Sequence, residues 1–71
     1  MKIPTSKEIK VMRLRFGITQ KQLAVLMNVH EVTVESWEQS INIPCDMSKK
    51  ILRILIDKKH GAKLFKILNL F

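Results

Sequence analysis

Three side chains in this sequence are soft metal-ligand candidates: His30, Cys45 and His60. No two of them stand at the spacing of a zinc-ligand pair. There is no glycine-rich phosphate loop and no nucleophile with an evident base, so the chain offers little support for an enzyme, and neither a cofactor nor a metal is expected. Both histidines read as surface or capping residues, and Cys45 as a small apolar filler. The chemistry these residues can do is electrostatic. Thirteen Lys and Arg against six Asp and Glu give 71 residues a net charge of +7. Such an excess favours polyanions, nucleic acid first and anionic membrane surface second. It is unevenly spread. Residues 1–16 carry five bases and one acid, residues 45–71 carry seven bases and two acids, and residues 17–44 carry Lys21 against Glu31, Glu35 and Glu38. Positive flanks surround a weakly acidic centre.

The elements that must position these charges are helices. Apolar residues recur at three- and four-residue spacing, Tyr is absent, and no long run alternates apolar with polar residues. The expected architecture is all-α, a compact bundle of about five helices forming one domain over residues 1–71. So short a chain builds one small core and is marginal without a staple or a partner. A single cysteine excludes an internal disulfide and fits a reducing cytoplasm. The start, MKIPTSKEIK, has no apolar core of signal-peptide length, and no later run is long enough to span a bilayer. The expected setting is the cytoplasm, with no membrane partner.

Helix one opens with Thr5 and Glu8 at capping-box spacing. Its buried stripe is Ile9, Met12 and Phe16, widened by Val11 and Leu14, and Gly17 ends it. Thr19 and Gln22 repeat the capping box for helix two, from Gln20 to about Met27, with Leu23, Ala24, Leu26 and Met27 buried. Asn28 sits where the backbone must reverse, a position that tolerates a left-handed conformation. Helix three runs from about Glu31 to Gln39 behind His30, a weak N-cap, with Val29, Val34 and Trp37 as apolar anchors. Pro44 closes the following loop. Asp46 caps helix four, which runs to about Lys59, stops at His60-Gly61 and buries Met47, Ile51, Ile54 and Leu55. A last helix, about Ala62 to Leu70, carries Leu64, Phe65, Ile67 and Leu68, with Phe71 just beyond. That is more apolar surface than a short terminal helix usually hides, so Leu64, Phe65 and Leu68 are the expected dimerisation residues.

Residues 19–39 thus form two short helices around a tight turn, a device that can present its second helix to the major groove of DNA. Arg13, Gly17, Ile18, Thr19-Gln20, Leu23-Ala24, Val29, Val34, Trp37-Glu38 and Pro44 stand together in a register that resembles the lambda-repressor-like (Cro/C1-type) helix–turn–helix family, which includes antitoxin-type transcriptional regulators. The resemblance covers about half of the chain, roughly Ile9 to Pro44. It implies that Gln20 hydrogen-bonds a phosphate and braces the recognition helix. It also implies that Glu31, Val32, Glu35 and Ser36 enter the major groove and that Thr33 and Gln39 lie close to the sugar–phosphate backbone. Arg13 and Glu38 match a partly buried ion pair with a structural role. Helical geometry independently places residues 31, 32, 35 and 36 largely on the outer face if Val34 and Trp37 point inward.

The chain departs from the family pattern in three places. Asn28 stands where glycine is frequent. Ser40-Ile41-Asn42-Ile43 replaces a loop that is commonly glycine followed by bases. The groove face carries Glu31 and Glu35 and no Lys or Arg. A carboxylate facing DNA must accept a hydrogen bond, as from cytosine N4, while Val32 would touch a thymine methyl. Non-specific grip would then come from Gln20, Lys21, Lys49, Lys50 and the basic N-terminal region. The expectation is a homodimeric, sequence-specific binder of double-stranded DNA on a palindromic operator, acting as a repressor or an autoregulating antitoxin-type protein. The alternative is a helix–turn–helix scaffold that binds a protein, such as a toxin or another regulator, with little DNA binding.

Overall fold

The computed structural model describes residues 3–68. Five helices follow one another: α1 (Ser6–Arg15), α2 (Gln20–Met27), α3 (Glu31–Glu38), α4 (Asp46–Ile56) and α5 (Gly61–Leu68). No strand is present among the described residues. Helix α1 is the hub, packing against both α3 and α4, while α2 lies on α3 and α5 on α4.

Local chemistry explains where the first helices begin and end. Thr5 and Glu8 form the capping box: the Glu8 N–H donates to Thr5 Oγ1 at 3.1 Å, and the Thr5 N–H donates to Glu8 Oε1 at 3.0 Å. Thr19 and Gln22 repeat it at 3.0 and 2.8 Å. Each box satisfies two amide donors that a helix start leaves orphaned. Gly17 turns the chain after α1 at φ 69°, and Asn28 reverses it after α2 in the left-handed region, at φ 56° and ψ 46°. His30 is the N-cap of α3 but makes no side-chain capping bond.

The core is Ile9 and Met12 from α1, Leu23, Ala24 and Met27 from α2, Val34 and Trp37 from α3, and Leu52 and Leu55 from α4. Phe16, Ile18, Val29, Ile51, Ile56, Leu64 and Phe65 pack around it. Three expected members from α1 and α2 are absent: Leu26 is only half-buried, at the edge of the α2 stripe set by Leu23, Ala24 and Met27. Val11 and Leu14 are 53% and 58% exposed, because α1 meets its neighbours through the Ile9–Met12–Phe16 stripe and turns the other side outward.

Helix α4 departs furthest from expectation. Cys45, not Asp46, is its N-cap; the thiol is exposed rather than filling the core. The thiol donates to Ser48 Oγ at 3.5 Å, and hydrogen bonding of the thiolate by Ser48 and by backbone amides of the first turn holds the Cys45 pKa below its ordinary 9.0. Met47 and Ile54 face solvent, while Ser48, Leu52 and Leu55 are buried. The two stripes differ by one residue, about 100° of helix rotation. With apolar side chains at 47, 51, 52, 54, 55 and 56, the sequence permits both, and contact with α1 selects the second. The helix stops at Ile56 instead of Lys59. Asp57 turns extended (φ −63°, ψ 121°), and its carboxylate accepts the Lys59 N–H at 2.8 Å. Arg15 completes the stop by donating to the carbonyl oxygens of Leu55 at 2.8 Å and Ile56 at 3.5 Å. The guanidinium thus satisfies acceptors that the helix end leaves open. The expected last helix extends past Leu68; residues 69–71 lie outside the described residues.

Glu8 also reaches across the fold, accepting from Arg53 Nη1 at 3.2 Å. The Thr5 amide above all, and then Arg53, pull its pKa below the ordinary 4.5. A carboxylate depressed in the folded state contributes stability that is present above the unfolded pKa and lost as pH falls through the folded one. Stability should therefore decline as pH drops below about 4.5. In Glu8→Gln, where the amide oxygen still accepts the Thr5 N–H, the decline measured by urea unfolding at stepped pH should be shallower. An unchanged acid limb would remove Glu8 from that account.

Candidate nucleic-acid interface

Helix α3 is held from behind. Val34 and Trp37 are buried in the core, and Glu38 at the last turn is the anchor point for two other helices. Arg13 of α1 donates from Nε to Glu38 Oε2 at 2.7 Å and from Nη2 to Oε1 at 3.1 Å, a two-pronged pair whose side chains are only 12% and 5% exposed. The same guanidinium donates from Nη1 to the Ile18 carbonyl at 3.0 Å, which ties the α1–α2 turn to the pair. From the first turn of α2, Gln20 Nε2 donates to Glu38 Oε1 at 3.2 Å. Bonding to Glu38 raises the Arg13 pKa, so the guanidinium stays charged at every accessible pH. The chain thus brings Arg13, Gln20 and Glu38 together, although they come from three helices. Gln20 braces α3 through a carboxylate, and its amide retains a second N–H.

With its inner side so fixed, α3 presents Glu31 and Val32 exposed and Glu35 and Ser36 half-buried. Val32 is 66% exposed, an apolar side chain turned to solvent. The Ser36 hydroxyl turns back and donates to the Thr33 carbonyl at 2.7 Å, so only its acceptor lone pairs face outward. Thr33 is half-buried, and Gln39, the C-cap, is exposed. Beyond it the loop folds against the helix end, with the Ile41 and Asn42 amides donating to the Ser36 carbonyl at 2.9 and 3.3 Å. Ser40 makes this turn at φ 61°, a conformation that disfavours most L-residues, and its hydroxyl donates to Ser6 Oγ at 2.9 Å.

The cations around this face differ in freedom. Lys21 and Lys50 are exposed. Lys49 is drawn back along its own helix to Asp46, 3.1 Å away, with its side chain only 22% exposed. Among the described residues no group of three or more His, Cys, Asp or Glu is placed to hold a metal ion, and no helix is long and apolar enough to cross a membrane.

Of the residues expected to mediate dimerisation, Leu64 and Phe65 are half-buried against the chain's own core. Phe65 stacks on Phe16 with ring centroids 4.4 Å apart and planes 3° from parallel. The Leu68 side chain lies outside what the structure describes. Arg15 was the residue least visible in the sequence. It sits over the ring of its neighbour Phe16 at 5.1 Å and caps α4 from forty positions away, and no local pattern announces the cap. Comparison with protein-family models gives no match to this chain, and neither does comparison with curated proteins.

Proposed function

We propose that the chain is a sequence-specific binder of double-stranded DNA of the lambda-repressor-like helix–turn–helix kind, acting as a homodimeric repressor or an autoregulating antitoxin-type regulator. One observation carries this reading. Helix α3 is fixed from behind by the Arg13–Glu38–Gln20 network and by Val34 and Trp37, so its other side is a rigid outward face suited to groove docking. The overall charge of +7, concentrated in the flanks, supports the same reading.

In this account Val32, Glu31, Glu35 and Ser36 read bases, with the carboxylates accepting from cytosine N4 and Val32 meeting a thymine methyl. Gln20, Lys21, Thr33, Gln39, Lys49 and Lys50 position the protein on phosphates and sugars. Lys49 would have to exchange its Asp46 partner for phosphate, so Lys50 and Lys21 carry more of the grip. Affinity for a duplex pool should fall steeply with added salt, because neutralised phosphates release counterions. A Lys49→Ala, Lys50→Ala double change should reduce the slope of log affinity against log salt by up to about two and weaken all sequences alike. Fluorescence anisotropy across a salt series measures both; salt-independent binding, or a loss confined to some sequences, would contradict the assignment.

The acidity of the outer face favours a second reading. Glu31 and Glu35, with no Lys or Arg beside them on α3, also suit a scaffold whose third helix meets a basic protein partner such as a toxin. Retained protein binding by a chain that does not bind DNA would favour it.

A further inference from the structure

Val11 and Leu14 leave α1 with an outward apolar pair one turn apart. Val11 lines a shallow groove with Lys7, Arg15, Ile56 and Lys58. Ile56 is shared with a second, larger groove of about 900 Å³, completed by Lys50, Arg53, Ile54, Asp57 and His60. The two share Ile56 as a lining residue and so adjoin along a band from the outer side of α1 to the C-terminal end of α4. Its floor is apolar, with Val11 53% and Ile54 44% exposed. Its rim is cationic. Two acids, Glu8 and Asp57, also line it, and both are engaged within the chain. Glu8 accepts from the Thr5 amide and Arg53, and Asp57 accepts from the Lys59 amide at 2.8 Å and lies 3.3 Å from His60. Lys7, Lys50 and Lys58 have no carboxylate within 4.0 Å among the described residues.

We propose that this band is a docking groove for an acidic amphipathic helix of another protein, whose apolar stripe rests on Val11, Ile54 and Ile56 and whose carboxylates meet Lys7, Lys50 and Lys58. Charge complementarity selects this occupant. A second copy meeting it through the same face would bring a second cationic rim to the first, where like charges repel. A phosphate backbone would satisfy the lysines and leave the apolar floor uncovered. A bilayer surface is flat at this scale and does not fill a concavity. An amphipathic helix in a groove satisfies floor and rim together. The proposal stands apart from the DNA reading, since Val11, Ile54 and Ile56 take no part in it; only Lys50, and Lys7 of the basic N-terminal region, are common to both.

The test uses the full chain and a fluorescent helical peptide of leucine, alanine and glutamate, with leucines at every third and fourth position. A peptide of the same composition in scrambled order is the control. The amphipathic peptide should bind at micromolar concentration, and the scrambled one about tenfold more weakly or worse. Val11→Glu and Ile54→Glu should each weaken binding about tenfold or more, because each loses an apolar contact and adds a repelling charge. Both sites face solvent, and thermal unfolding of each variant checks that it folds. The peptide comparison leaves the protein unaltered and decides the matter even if a variant does not fold. Equal binding of both peptides, no binding of either, or unchanged binding by two folded variants would overturn the proposal. So would attachment to phosphatidylserine vesicles, lost in Ile54→Glu, without peptide binding.

Discussion

Replacing Glu38 with alanine should cost about 3–5 kcal/mol of folding stability, the scale expected when one partner of a desolvated ion pair is removed. The pair qualifies: its side chains are 12% and 5% exposed, and the guanidinium fork meets both carboxylate oxygens at 2.7 and 3.1 Å. Without Glu38, the Arg13 charge is left in a site shielded from water, and Gln20 loses the acceptor that joins α2 to the end of α3. A domain of this size has a total stability of roughly 4–10 kcal/mol, so the variant should be at the edge of unfolding at room temperature. A matched Arg13→Met, Glu38→Leu double change removes both charges and should recover much of the loss, because the penalty lies in the stranded charge more than in the missing bond. Urea unfolding of the two single variants and the double variant measures the coupling. A loss below about 1 kcal/mol in Glu38→Ala would place the pair with ordinary surface salt bridges and remove it as the brace of α3.

Gly61→Ala should cost about 2–3 kcal/mol, although alanine is the better helix former by about 1 kcal/mol. Gly61 opens α5 and is buried, and a methyl group there would run into the carbonyl oxygen of Leu55, with the Leu55 carbonyl carbon at 2.9 Å and the Ile54 oxygen at 3.2 Å. Those atoms belong to the last turn of α4 and cannot rotate aside as a side chain would. The Leu55 oxygen is also the acceptor of the Arg15 guanidinium, so relief of the clash by moving α4 would break that cap. The expected consequence is displacement of α5 and separation of Phe65 from Phe16. Thermal unfolding should show a lowered midpoint, and the aromatic shifts of Phe16 and Phe65 should move toward unstacked values. A variant as stable as the parent would show that α5 is not seated closely on α4.

The parts of this molecule legible in the sequence are those governed by residues within a turn of one another. The capping boxes at Thr5 and Thr19, the reversals at Gly17 and Asn28, and the inward Val34 and Trp37 all follow from spacing and residue type. The all-helical architecture follows from the same periodicity. The face of α4 did not, because its apolar residues define two stripes a single position apart, and only packing against α1 and α5 distinguishes Leu52 from Met47. The outward turn of Val11 and Leu14 has the same origin: an apolar residue beside a stripe joins the core only if a neighbour reaches it. The capping role of Arg15 could not be anticipated, since the carbonyls it meets lie forty positions away. At the candidate interface, the Arg13–Glu38 pair expected from the family resemblance is present with good geometry. The inward turn of the Ser36 hydroxyl and the retention of Lys49 by Asp46 depend on side-chain conformation, which residue type does not determine.

We propose above that the outward face of α3 reads DNA through acidic residues. Selection of bound duplexes from a randomised pool, carried out in parallel with the parent chain and with Glu31→Gln and Glu35→Gln, tests it most directly. The parent chain should enrich a two-fold symmetric sequence, with half-sites spaced about one helical turn apart, and at least one variant should change the preference at a cytosine position. Absence of enrichment by the parent, or the same selected sequence from all three proteins, would contradict it.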